Sequence, residues 1–222
     1  MDILFVGCSI TWGDELKDRL NTRYSKLLCD ALGANEYNIA ECGTSNDWIA
    51  RRTVEETRKR KYDRVYVQLT MPSRLEYFNE EGPPHKFHHH MVKQKDKPYY
   101  TEGRWYYKFV WNKQFGLENM YKNKFIIESV VHSELVFLFA DSNLETDVEY
   151  QHLHDRSYWN SFSKIKSLSI FKGILQGHYE NLKKMPKSEI ARLYPLGKRG
   201  HPLESSHRKI ADYLLEYGYH SH

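Results

Sequence analysis

The chain has few of the residues that staple or interrupt a small fold: three cysteines, seven prolines and twelve glycines in 222 residues. Cys8, Cys29 and Cys42 make an odd set without framework spacing, which excludes a disulfide scaffold and points to reduced thiols. No apolar stretch approaches the length a membrane-spanning helix needs. The opening residues Met1-Asp2-Ile3-Leu4-Phe5-Val6 lack both the basic segment and the apolar length of a secretion signal. The expectation is a cytoplasmic protein with no membrane partner. Charge of one sign is also scarce, the net value being +4. The one basic cluster, Arg51, Arg52, Arg58, Lys59, Arg60 and Lys61, would fall on several faces of a helix. That suits a solvated surface, and no nucleic-acid partner is expected. No G-x-G-x-x-G or phosphate-loop pattern follows a strand, which sets aside a nucleotide-binding reading.

What is present is globular: 40% hydrophobic and 28% charged residues, with 17 Tyr and 5 Trp. A chain of this length buries a sizeable core and needs neither metal nor disulfide. The apolar run 3–6, ending at Gly7, reads as a buried parallel strand. Residues 22–32 have helical spacing with Gly33 as C-cap. Residues 37–40 read as a second strand, 46–61 as a helix and 62–69 as a third strand. The first seventy residues thus alternate β-α-β-α-β, and right-handed crossovers onto a parallel sheet are the default. Residues 72–107, broken by Gly82-Pro83-Pro84 and Lys97-Pro98, read as an irregular lid or ordered loop. Residues 117–134 regain helical period, 135–140 are a buried strand ending at Asp141, 165–182 suit a helix, and 205–217 form a closing helix. With no repeat or linker, residues 1–222 read as one domain with an irregular insertion at about 76–116.

Chemistry concentrates at three places. Gly7-Cys8-Ser9-Ile10-Thr11-Trp12-Gly13 puts a serine just past the carboxyl end of the first strand, where open α/β sheets bind ligands. The bland alternative is a turn whose Ser9 caps the next helix. The segment Asn38-Ile39-Ala40-Glu41-Cys42-Gly43 ends with a glycine whose N–H, beside that of Ser9, would make a two-point oxyanion hole. Gly200-His201-Pro202 precedes the last helix, and a histidine there can act as general base to Ser9.

In order and spacing these blocks resemble the SGNH/GDSL hydrolase family: G-D-S-x-x-x-G with Cys8 in the Asp position, N-x-G-x-x-G matched by Asn38, Ala40 and Gly43, and a His-Pro pair before a helix. The subgroup with G-C-S-x-T-W-G and a following P-S-R, associated with bacteria and their phages, is especially similar. The resemblance implies a three-layer α/β/α sandwich with a mainly parallel, flavodoxin-like sheet, and ester hydrolysis through an acyl-serine without a cofactor. It covers residues 1–75 and 195–217.

Two positions depart from the family pattern. The block after the third strand should supply an oxyanion Asn, but the chain reads Leu69-Thr70-Met71-Pro72-Ser73-Arg74; Thr70, Ser73 or Arg74 would have to donate instead. The family's acid lies three residues before the histidine, where this chain has Lys198. Either Ser9 and His201 act as a dyad, or another carboxylate replaces it: Asp141, equally readable as a helix cap, with Glu204 behind it. The histidines His85, His88, His89 and His90, and His152 with His154, follow no zinc spacing and read as solvated loops, so no metal is expected. Tyr99, Tyr100, Trp105, Tyr106, Tyr107 and Trp111 line an acyl or sugar pocket or pack a lid. The sequence reading is a serine esterase for a small or glycan-borne acyl ester. The rival is a degraded relative that binds a glycan or serves as a virion or homo-oligomeric assembly component.

Overall fold

The computed structural model describes residues 1–78, 85–89, 95, 100–140, 148–165, 167–175 and 184–217. Strands numbered in chain order are β1 (Asp2–Val6), β2 (Asn35–Asn38), β3 (Arg64–Leu69), β4 (Leu75–Tyr77), β5 (His85–Phe87), β6 (Glu134–Phe139) and β7 (Ser167–Ser169). Five of them form a parallel sheet in the order β2-β1-β3-β6-β7, while β4 and β5 make a separate antiparallel pair. The period of two sorts the side chains of each strand between two cores. Ile3 and Phe5 of β1, Tyr66 of β3, and Val136 and Leu138 of β6 face one core. Leu4, Val6, Val65, Val67, Leu69, Leu135 and Phe137 face the other.

The first core is closed by α3 (Tyr24–Leu32), α8 (Ile170–Leu175) and α10 (Glu204–Tyr217), through Leu28, Ile174 and Leu214 among others. The second is closed by α4 (Asn46–Lys59) and α6 (Lys113–Val130), through Ile49, Leu117 and Met120. The result is the expected α/β/α sandwich. Helix α3 crosses from β1 to β2 on one face, and α4 returns to β3 on the other. The strand order therefore reverses beside β1, and the crevice at such a switch point is where these sheets bind ligands.

The expected order of the first seventy residues holds, with shifted ends. Gly33 caps α3 in the left-handed region, φ 60°, and Ser45 caps α4 by accepting from Trp48 N at 3.1 Å. Strand β2 is Asn35–Asn38 rather than 37–40, because the edge pairing starts from Asp2 opposite Asn35 and not from the apolar residues after it. Helix α6 ends at Val130, and Glu134 already belongs to β6. Residues 165–182 were expected to be helical; instead β7 comes first and α8 follows, with 176–182 outside the described residues. The described residues of 72–107 are less irregular than expected: they hold the paired strands β4 and β5 and start α5 (Tyr100–Phe109). The remaining helices are short: α1 (Ser9–Trp12), α2 (Arg19–Thr22), α7 (Val148–Asp155) and α9 (Lys187–Leu193).

Candidate active site

Strand β1 feeds directly into the one-turn helix α1, which begins at Ser9. The turn is possible because Gly7 lacks a side chain: a Cβ there would lie 2.6 Å from Thr11 Oγ1 and 2.7 Å from Gln68 Cβ. Gln68, fully buried near the end of β3, holds the turn from below. Its Oε1 accepts from Cys8 N at 3.3 Å, Thr11 N at 3.1 Å and Thr11 Oγ1 at 2.6 Å, and its Nε2 donates to Cys8 Sγ at 2.9 Å. Asn38 supports the other side by donating to Thr11 O and to Ser25 Oγ, both at 2.8 Å.

Ser9 and His201 open onto one cavity of about 440 Å³ at the carboxyl edge of the sheet, together with Gly43, Thr70, Ser73 and Arg74. Seven-tenths of the chain lies between the first two blocks and the last, yet they meet here. Among the described residues no hydrogen bond joins Ser9 to His201; Ser9 Oγ lies 3.8 Å from Cys8 Sγ.

Cys8 occupies a nest of donors. Burial disfavours its thiolate, but Arg74, the Thr70 and Gln68 side chains and the Ile10 N–H outweigh burial and hold the thiol below its ordinary value. Thr70 is fixed through its backbone, which exchanges two hydrogen bonds with the Asn46 amide at 2.9 and 3.1 Å. The Asn46 side chain is thus spent on the end of β3. The Ser73 carbonyl accepts from Tyr107 Oη at 2.5 Å. Arg74 reaches Thr44 O at 3.4 Å and brings a cation to the cavity wall.

Asp141 lies outside the described residues. Glu204 accepts from Lys17 N at 3.1 Å in the first turn of α10. The carboxylate at His201 is Glu15, whose Oε2 lies 3.0 Å from Nδ1, with Asp14 Oδ2 at 3.5 Å. Sequence reasoning missed Glu15, Asp14 and Gln68. Gln68 carried a readable signal, being the one uncharged polar residue in a strand that is buried throughout.

The other residues singled out by sequence are divided between regions. His88 and His89 line the active cavity, and His89 also packs edge-on against Tyr107 at 5.4 Å. Trp105 and Tyr106 line a second, apolar cavity with Leu75, Tyr77 and Phe87 of β4 and β5. His85 begins β5, whereas His90 and Tyr99 lie outside the described residues.

No protein-family model matches the chain, and no curated protein matches it by sequence. Solved structures do match. The protein TesA aligns over 97% of this chain and 97% of its own, with TM-score 0.57 and 13% identity. A lipolytic G-D-S-L protein from Veillonella parvula DSM 2008 covers 98% and 97%, with TM-score 0.54 and 14% identity. A catalytic variant of Axe2, an acetylxylan esterase from Geobacillus stearothermophilus, covers 98% and 94%, with TM-score 0.56 and 17% identity. The chain has the fold of the SGNH/GDSL hydrolases.

Proposed function

We propose that the chain is a serine esterase that hydrolyses a small or carbohydrate-borne acyl ester. The observation that carries this reading is the convergence of Ser9, from the end of β1, and His201, from the loop before α10, on one cavity at the switch point. Ser9 Oγ attacks the ester carbonyl and gives its proton to His201 Nε2. The N–H groups of Ser9 and Gly43 receive the oxyanion, and Arg74, at the cavity wall, takes the place of the family's Asn. His201 returns the proton to the leaving alcohol, and water repeats the sequence on the acyl-serine. The cavity also has apolar lining from Ile10, Met71, Ala140 and Phe171, which suits a short acyl group. The acetylxylan esterase among the structural neighbours supports an acetylated sugar as the alcohol side.

The test is hydrolysis of p-nitrophenyl acetate and of acetylated xylo-oligosaccharides by the protein, Ser9→Ala and His201→Ala. Each variant is expected to lose on the order of 10⁴-fold or more in kcat. Wild-type turnover of these esters no faster than that of Ser9→Ala would sink the esterase reading. It would favour the binding or assembly role instead.

A further inference from the structure

The geometry points to Glu15 as the residue that positions His201, replacing from the nucleophile's own loop the acid that the family places three residues before the histidine. This inference rests on the esterase reading. Its grounds are four. Lys198, in the usual acid position, is exposed, so nothing there can orient an imidazole. Glu15 Oε2 lies 3.0 Å from His201 Nδ1. The same carboxylate accepts from the backbone N–H of His201 at 3.1 Å and of Arg199 at 2.8 and 3.0 Å, so it holds the loop as well as the ring. Finally, the chain is shaped around this contact on both sides. Glu15 has φ 67°, the one positive value at a non-glycine residue among those described, a strained state that persists only where its surroundings enforce it. Opposite it, a Cβ on Gly197 would lie 2.5 Å from Glu15 Cδ, so a side chain there would push the carboxylate aside.

With Nδ1–H donating to Glu15, Nε2 carries the lone pair that faces the cavity. When Ser9 attacks, its proton moves to Nε2 and the imidazolium keeps both protons. Glu15 stabilises that cation and takes no proton itself. Burial opposes ionisation of Glu15, but the N–H groups of Arg199 and His201 and the imidazole outweigh it and keep the carboxyl below its ordinary value. Asp14 is the outer carboxylate: Nδ1 is 3.5 Å from its Oδ2, and its Oδ1 holds the Arg199 guanidinium at 2.6 Å.

Glu15→Gln, Glu15→Asp and Gly197→Ala are compared with wild type by kinetics on p-nitrophenyl acetate and by nitrogen-15 NMR of the histidine rings, with circular dichroism confirming the fold. Glu15→Gln is expected to lower kcat by roughly 10²-fold to 10⁴-fold with KM little changed, by analogy with triads whose acid becomes an amide. Glu15→Asp should recover part of that loss. Gly197→Ala, which displaces the carboxylate without removing it, should reproduce it if Glu15→Gln fails to fold. In wild type the His201 ring proton should sit on Nδ1, and in Glu15→Gln that preference should be lost. A ring protonated on Nε2 in wild type, or kcat and ring signals unchanged in Glu15→Gln, overturns the assignment and leaves the esterase reading intact. An Nδ1–H ring in a wild type no more active than Ser9→Ala ends both, since there is then no acyl transfer for Glu15 to serve.

Discussion

The turn that carries Ser9 is held by one amide beneath it. Gln68 satisfies two backbone N–H groups and one hydroxyl of the Cys8–Thr11 turn. Burial leaves no water to replace it. Removing an acceptor that serves several buried donors costs about 1–3 kcal/mol per group stranded, tempered by relaxation. Gln68→Leu is therefore expected to destabilise the protein by about 2–4 kcal/mol in urea unfolding. It should also lower kcat more than it raises KM, because α1 carries the proposed nucleophile. An unchanged unfolding midpoint would show that the turn holds itself. The same scale explains which site residues could be read from sequence. Ser9, Gly43 and His201 sit in short blocks with local signatures. Glu15 has none, since its role depends on a positive φ and on a partner 186 positions away. Gln68 was readable in principle, as an unexplained polar group inside a buried strand.

Elements in the middle of the chain are clamped by two glutamates of α6. Glu118 accepts from Ser157 Oγ, Tyr158 N and Trp159 N at 3.0 to 3.3 Å. Glu128 accepts from Lys164 N at 2.6 Å, Ile165 N at 2.8 Å and Ser163 Oγ at 2.9 Å. Between these clamps runs a 3-10 turn, Trp159–Phe162, and β7 begins just beyond. Lys124 adds donors to Ser163 Oγ and Ile165 O, and burial draws its ammonium down to about 8. Glu128→Ala strands three donors and leaves Lys124 without its acid 4.0 Å away. A loss of about 2–4 kcal/mol in thermal or urea unfolding is expected. Lys124→Met, which removes the buried charge itself, should cost clearly less than Glu128→Ala; an equal or larger loss would mean the ammonium, not the carboxylate, organises this segment. This is also why the sequence misled at residues 167–169. A three-residue strand is too short to show a period, and it is placed by clamps more than thirty positions upstream.

Across the whole molecule, the two ends of the chain are sewn together along one face. Glu15 meets His201, Arg199 meets Asp14, Glu204 accepts from Lys17, and Tyr24 N donates to His207 Nδ1 at 3.0 Å. The fold was readable because its ends are regular: alternating strands and helices up to residue 69, and one amphipathic helix at the close. What the pattern left open was how they join, since the joining groups are polar and distant in sequence. His207 makes that seam sensitive to acid. Its ring is buried and stacked on Tyr24 at 5.9 Å between centroids. Nδ1 must stay unprotonated to accept from Tyr24, and Nε2 has no partner among the described residues. Burial is the main cause that lowers His207 from 6.5 to about 4. The unfolded chain therefore binds the proton first. The stability His207 contributes is complete above about pH 6.5 and is lost progressively as pH falls toward 4. His154 is shifted the same way by burial and shares this sign. The depressed carboxylates Asp2, Glu15, Glu55, Glu118 and Glu204 begin to cost stability only near and below their unfolded values, so the interval from pH 6.5 to 5 is set mainly by the histidines. Urea unfolding at these two values should show a loss of about 1.5 kcal/mol from His207. His207→Gln, which can still accept from Tyr24 N but cannot titrate, should remove most of that difference. If the variant keeps the full pH dependence, the acid sensitivity belongs to another group, with His154 the next to test.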